Sequence, residues 1–102
     1  SGNYFDGVFQ AKSKTDEHGY AIAIVTIKDD KITNVELKYF DEKGKKRDFE
    51  TYEYEPSIKA YKELPKKFVM ENTYDVDTVT GATISSIKYI QAVKNALEIA
   101  KR

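Results

Sequence analysis

The sequence predicts an α+β fold: an antiparallel β-sheet of three or four strands, followed by helices packed on one face, with a long C-terminal helix. Three observations predict it. Runs rich in β-branched and aromatic residues fill the stretch up to Phe40, and helical spacing takes over from Pro56. The chain has 102 residues, which makes a single domain, 1–102, with room for one modest core.

In order along the chain, "YFDGVFQAKS" (Tyr4 to Ser13) reads as a first strand, and "TDEHG" (Thr15 to Gly19) is turn chemistry. "YAIAIVTIK" (Tyr20 to Lys28) is apolar on both faces, which places it centrally in the sheet. "DDK" (Asp29 to Lys31) is a tight turn, and "ITNVELKYF" (Ile32 to Phe40) returns as a third strand. Val35, Leu37 and Tyr39 fall on one face of that strand, with Glu36 and Lys38 on the other. "DEKGKKRD" (Asp41 to Asp48) reads as a charged, solvated loop; docking to a redox partner or a phosphate is the lesser reading of its basic run.

"PSIKAYKEL" (Pro56 to Leu64) has helical spacing, and Pro65 suits the start of a second short helix through Met70. "YDVDTVTGA" then runs extended. Ile84 to Arg102 reads as the closing helix, with Ile90, Val93, Leu97 and Ala100 on one face. Lys88, Gln91, Asn95, Glu98 and Arg102 line the opposite side.

Composition removes several classes of function. Seventeen basic residues balance seventeen acidic ones, so nothing pushes the chain toward nucleic acid. No apolar run approaches the roughly 20 residues that span a bilayer, so the chain as given reads as soluble. A removed export signal or lipid anchor ahead of Ser1-Gly2 stays open. Without cysteine there is no disulfide, thiolate catalysis or Cys-ligated zinc. The single histidine, His18, reads as a turn residue, with no partners in sequence for a metal site or a Ser-His-Asp triad. No catalytic residue and no resident metal is expected.

The unusual run is "DTVTGATISS" (Asp77 to Ser86), with five hydroxyl residues among its last nine positions, directly ahead of the closing helix. One reading is capping: Thr83 as N-cap, its oxygen accepting from the Ser85 or Ser86 N–H, with Gly81 allowing a sharp turn. The other uses the same groups as an anion site. A helix start offers free N–H donors and a positive dipole end to phosphate. Thr80, Thr83, Ser85 and Ser86 would add hydroxyls, and Gly81-Ala82 would keep the approach clear. A threonine there lies beside any bound phosphate, the geometry for a phosphoester, yet nothing near Thr83 in sequence can act as its base.

The same run closely resembles the flavinylation motif of FMN-binding domains: aspartate, two residues, Ser or Thr, Gly-Ala-Thr, then another hydroxyl. Asp77, Thr80, Gly81, Ala82, Thr83 and Ser85 match it in place. "YFDGVF", "HGYAIAIVTIKDDKITNVEL" and "AVKNALEIAKR" resemble, in the right order, the family's opening strand, hairpin and closing helix. Such domains occur in the sodium-pumping quinone reductase, in Rnf-type complexes, in lipoproteins of extracellular electron transfer and in flavin-dependent reductases.

The resemblance implies that Thr83 carries FMN through a phosphoester bond, made from FAD by a separate flavin transferase that uses Mg2+ only during attachment. It implies that Asp77 helps the transferase or its metal recognise the site, and that Thr80, Gly81, Ala82 and Ser85 shape the phosphate pocket. It further implies an electron carrier rather than a complete enzyme, served by a membrane electron-donor complex, extracytoplasmic and tethered to the membrane in the full-length protein. "FETYEYEP" departs from the Glu-Thr-Pro-Gly-like stretch of ion-pumping members, so ring contacts are not carried over; Tyr52, Tyr54 and Tyr61 are the candidates for stacking. Two alternatives remain at this stage: a non-covalent FMN module of a larger reductase, and a cofactor-free extracellular interaction domain.

Overall fold

The computed structural model describes residues 2–102. Three strands, β1 (Gly7–Lys12), β2 (Tyr20–Lys28) and β3 (Lys31–Phe40), form an antiparallel sheet in the order β1-β2-β3. Two helices follow, α1 (Glu55–Glu71) and α2 (Thr83–Ala100). The sheet has β2 at its centre, as its apolar run requires, and α+β architecture holds.

The β2–β3 hairpin turns on Asp29 and Asp30 alone, both in the left-handed region at φ 50° and 64°. That is the two-residue turn whose twist matches the flanking strands, and aspartate tolerates it better than most residues. Lys28 pairs with Lys31 across it. A bulge follows: Ile27 pairs with Ile32 but Thr26 with Asn34, which leaves Thr33 as the extra residue. The bulge explains why Ile32 and Val35, three positions apart, both face the core.

Both helices cover the same face of the sheet, α2 against β1 and β2, α1 against β3. The core lies between, built from Ala21, Ala23, Val25 and Ile27 of β2, Ile32, Val35, Leu37 and Tyr39 of β3, and the inward faces of the helices. Among the described residues, no helix covers the other face of the sheet. There Ile22 and Ile24 stay half-buried, and Tyr20 stacks on Phe40 at 5.0 Å.

Two sequence expectations change. Pro65 does not begin a second helix; α1 runs through it without interruption. Its buried face, Ser57, Ala60, Leu64 and Phe68, is continuous across the proline, and that packing offsets the lost backbone bond. Asn72 then ends the helix at φ 55°, and its side chain accepts from the Ile32 N–H (2.8 Å) and donates to the Asp30 carbonyl (3.2 Å). The polar side of α2 is the second change. Lys88 is buried, and Gln91 and Asn95 bond the backbone of Lys14 and Lys12 (2.7 and 2.9 Å). Their polar groups complete the backbone of the sheet edge that runs beside the helix.

Candidate functional site

The loop before α2 is pinned at every third residue. Val76, Val79 and Ala82 are buried, while Asp77, Thr78 and Thr80 point out. The buried Val79 N–H donates to Ser86 Oγ (3.0 Å), and the Val79 carbonyl accepts from the Ala82 N–H (2.9 Å). Gly81 then takes φ +83°, a conformation that favours glycine. A Cβ at Gly81 would lie 3.0 Å from both Pro56 Cβ and Cγ, so this loop is packed directly on the start of α1. Tyr54 closes the contact from that side, its hydroxyl donating to the Gly81 carbonyl (2.7 Å).

Two helix starts therefore converge. The hollow they share, about 420 Å3, is lined by Tyr54 and Ser57 of the α1 start and by Gly81 to Ser85 of the α2 start. Its remaining wall comes from His18, Tyr39, Arg47 and Tyr52. Thr83 is the first residue of α2, exposed and facing this space. The amides of Thr83, Ile84 and Ser85 make no hydrogen bond to a protein acceptor among the described residues. Ser57 (5% exposed) and Ser85 (8%) also bring hydroxyls without a protein partner among the described residues.

Each distal wall residue is placed by a specific contact. The Asp16–Gly19 turn presents His18, whose carbonyl accepts from the Tyr39 hydroxyl (2.7 Å). Lys88 holds that turn from below: its ammonium lies 2.8 Å from Asp16 Oδ2 and donates to the Lys14 carbonyl (3.0 Å). The hydrogen bond from Lys88, with that from the His18 N–H, holds the Asp16 carboxyl below its usual range. Arg47 returns beside β3, its N–H donating to the Tyr39 carbonyl (2.8 Å). Its guanidinium lies 4.3 Å from the Tyr39 ring centroid and 4.2 Å from that of Tyr52. Burial pushes the Tyr39 phenol up, so it stays neutral as the Arg47 partner.

The sequence-selected residues divide. Gly81, Ala82, Thr83 and Ser85 come together in the hollow. Asp77 and Thr80 are exposed outside it. Ser86 does not reach it: the side chain is fully buried, its oxygen accepting from the Val79 N–H, so it fixes the loop instead of meeting a ligand. Thr83 is not the N-cap. Ala82 takes that position, and among the described residues no side chain caps the helix and the Thr83 hydroxyl caps nothing. Among the tyrosines, Tyr52 and Tyr54 line the hollow; Tyr61 stacks on Phe49 at 4.0 Å in a neighbouring depression. Ser57 and His18 were missed, and phosphate docking was only the lesser reading of the run that holds Arg47. Arg47 stood in a basic run that read as solvated, and Ser57 lies 26 residues before Thr83.

A sequence model of the FMN-binding domain family matches residues 18–98. The chain belongs to that family. Among solved structures, the CPE2226 protein of Clostridium perfringens is similar to this FMN-binding domain with a TM-score of 0.75 and 23% sequence identity. The match covers 95% of this chain and 88% of that one, and it speaks for a shared fold. The hollow fits a flavin nucleotide on its own terms. Its volume falls in the range of small-molecule sites, about 300–1,000 Å3. Its donors are helix amides, hydroxyls and a guanidinium, and no carboxylate is among its lining residues. That donor set suits a phosphate.

Proposed function

We propose that this FMN-binding domain carries its flavin covalently on the Thr83 oxygen and serves as an electron-transfer module. The observation that carries the reading is the exposed Thr83 hydroxyl at the first position of α2, beside three amides and the Ser57 and Ser85 hydroxyls that make no hydrogen bond to protein among the described residues. When bound, FMN supplies the redox chemistry; the protein supplies place and surroundings. Thr83, Ser85 and the amides of residues 83–85 hold the phosphate end. Gly81, in its left-handed turn against Pro56, and Ala82 keep side chains out of its way. Tyr52 and Tyr54 offer aromatic surface to the ring.

Attachment needs a partner enzyme. A flavin transferase would join the Thr83 oxygen to the flavin-side phosphorus of FAD. The pyrophosphate bond breaks, AMP leaves, and the threonine proton passes to a base of the transferase, where Mg2+ acts. Asp77 and Thr80 are exposed, and by the motif's resemblance they would be read by that enzyme. A membrane electron-donor complex, an extracytoplasmic location and a membrane tether in the full-length protein complete the proposal, on the strength of the motif's resemblance.

Incubating the chain with a flavin transferase, FAD and Mg2+ should add the mass of one FMN residue, and Thr83→Val should abolish the addition. Flavin that leaves entirely on denaturation would instead identify a reversible FMN module. A wild-type chain left unmodified, under conditions that label a known acceptor, overturns the covalent reading.

A further inference from the structure

We infer that Arg47 grips the phosphate of the bound nucleotide, so that the domain selects the phosphorylated flavin over riboflavin. The inference rests on the reading of the hollow as the FMN site and adds a residue that the motif does not contain.

Charge is the first argument. Seventeen of 102 residues are acidic, yet none lines the hollow; Arg47 is its one guanidinium. Asp16, in the turn that presents His18, is engaged by Lys88 at 2.8 Å, and Asp48, Glu50 and Glu55 line the neighbouring depression instead. A guanidinium without a salt bridge among the described residues, together with two helix starts, makes this a place for negative charge.

Orientation is the second. The guanidinium lies against the Tyr39 and Tyr52 rings at 4.3 and 4.2 Å, with Phe49 farther off at 5.8 Å, and forms no salt bridge among the described residues. Stacking of this kind holds the guanidinium while leaving its N–H groups for a ligand, and its fork matches phosphate in a bidentate way. Lys43, Lys45 and Lys46 of the same loop are exposed and have no such setting.

The donor pattern separates phosphate from ring. The pyrimidine edge of a flavin alternates carbonyl acceptors with an N–H donor and so needs an acceptor from the protein. Two carbonyls beside the hollow are already engaged, Gly81 by the Tyr54 hydroxyl and His18 by the Tyr39 hydroxyl. What remains is rich in donors: Arg47 and the α2 amides can only donate, and the Ser57 and Ser85 hydroxyls can donate as well as accept. A phosphate accepts from all of them.

The test titrates the unmodified chain with FMN and, separately, riboflavin, following flavin fluorescence. Wild type should prefer FMN. Arg47→Gln should weaken FMN binding roughly ten- to a hundredfold, the loss of a charge-assisted hydrogen bond, and leave riboflavin within about twofold. Arg47→Lys, which keeps the charge without the fork, should fall between, with a thermal melt confirming that each variant folds. Equal losses for both flavins would place Arg47 on the ring, and no loss would make it a packing residue; either overturns the inference. So does a wild type that binds both flavins alike or neither. Label on Thr83 is scored by mass in a separate experiment, so the covalent reading can stand while this one fails.

Discussion

Replacing Gly81 by alanine asks the backbone to keep φ +83° with a Cβ attached. The left-handed conformation costs an L-residue about 1–2 kcal/mol. The new Cβ would also lie 3.0 Å from Pro56 Cβ and Cγ, closer than ordinary van der Waals contact. Pro56 sits in the first turn of α1 and its ring cannot swing aside, so relief requires the two helix starts to separate. Overpacking of that order costs about 1–3 kcal/mol. The stiffer unfolded chain gives back about 0.4–1 kcal/mol. The net loss is about 1–5 kcal/mol, centred near 3, and at about 4–8 °C per kcal/mol that centre is roughly 12–24 °C in Tm for a domain of this size. Urea unfolding followed by circular dichroism measures it. In a Pro56→Gly background both contacting atoms are gone, so Gly81→Ala should cost only the conformational part, and the double-mutant cycle should show a coupling of about 1–3 kcal/mol. Strict additivity would refute the steric argument, and a single-mutant loss below about 1 kcal/mol would refute the whole account.

Other expectations follow from the same geometry. Thr83→Val should change stability by no more than about 0.5 kcal/mol in a urea melt, because the hydroxyl is exposed and caps nothing; a large loss would mean it has a structural partner. Ser86→Ala should cost about 1–3 kcal/mol in the same assay, since the buried Val79 N–H loses its acceptor. Tyr89→Phe should leave stability equal or raise it by about 1 kcal/mol: the hydroxyl is fully buried without a protein partner among the described residues, and burial pushes its pKa up. Acid should weaken the fold. Hydrogen bonds lower the pKa of Asp16, Asp30 and Asp41, chiefly those from the Lys88 side chain and from the Asn3 and Lys45 N–H groups respectively. A depressed folded-state pKa contributes stability that is fully present above the unfolded value, about 3.9, and lost as pH falls through the folded one. Tm measured from pH 7 down to pH 3 should therefore drop on the acid side, and Lys88→Met should make the drop shallower; an unchanged acid limb in that variant would show that Asp16 carries none of it.

Local physics made much of the fold readable. Alternation in "NVELKYF" put Val35, Leu37 and Tyr39 inward, as they are, and "DDK" marked a turn that aspartate can occupy. Pro65 misled because its local rule is to end or begin a helix, while continuous burial of Ala60, Leu64 and Phe68 carries α1 across it. Lys88 misled for a similar reason. A lysine on a helix reads as solvated, and only the approach of the Asp16 turn gives this one a buried partner. In the site, the motif itself located Gly81, Ala82, Thr83 and Ser85. It also enlisted Ser86, whose hydroxyl is spent on a backbone amide seven residues earlier.

By itself, the sequence determined the strand and helix order and the family, because each is written in neighbouring residues: side-chain alternation, helical spacing and a contiguous motif. The tertiary structure alone decided that a second helix start, at Ser57, meets the first, and that Arg47 is drawn from its charged loop to lie between Tyr39 and Tyr52. Those contacts join residues far apart along the chain. They exist only once both helices settle on the same face of the sheet, where packing, and not local preference, fixes what lies beside what.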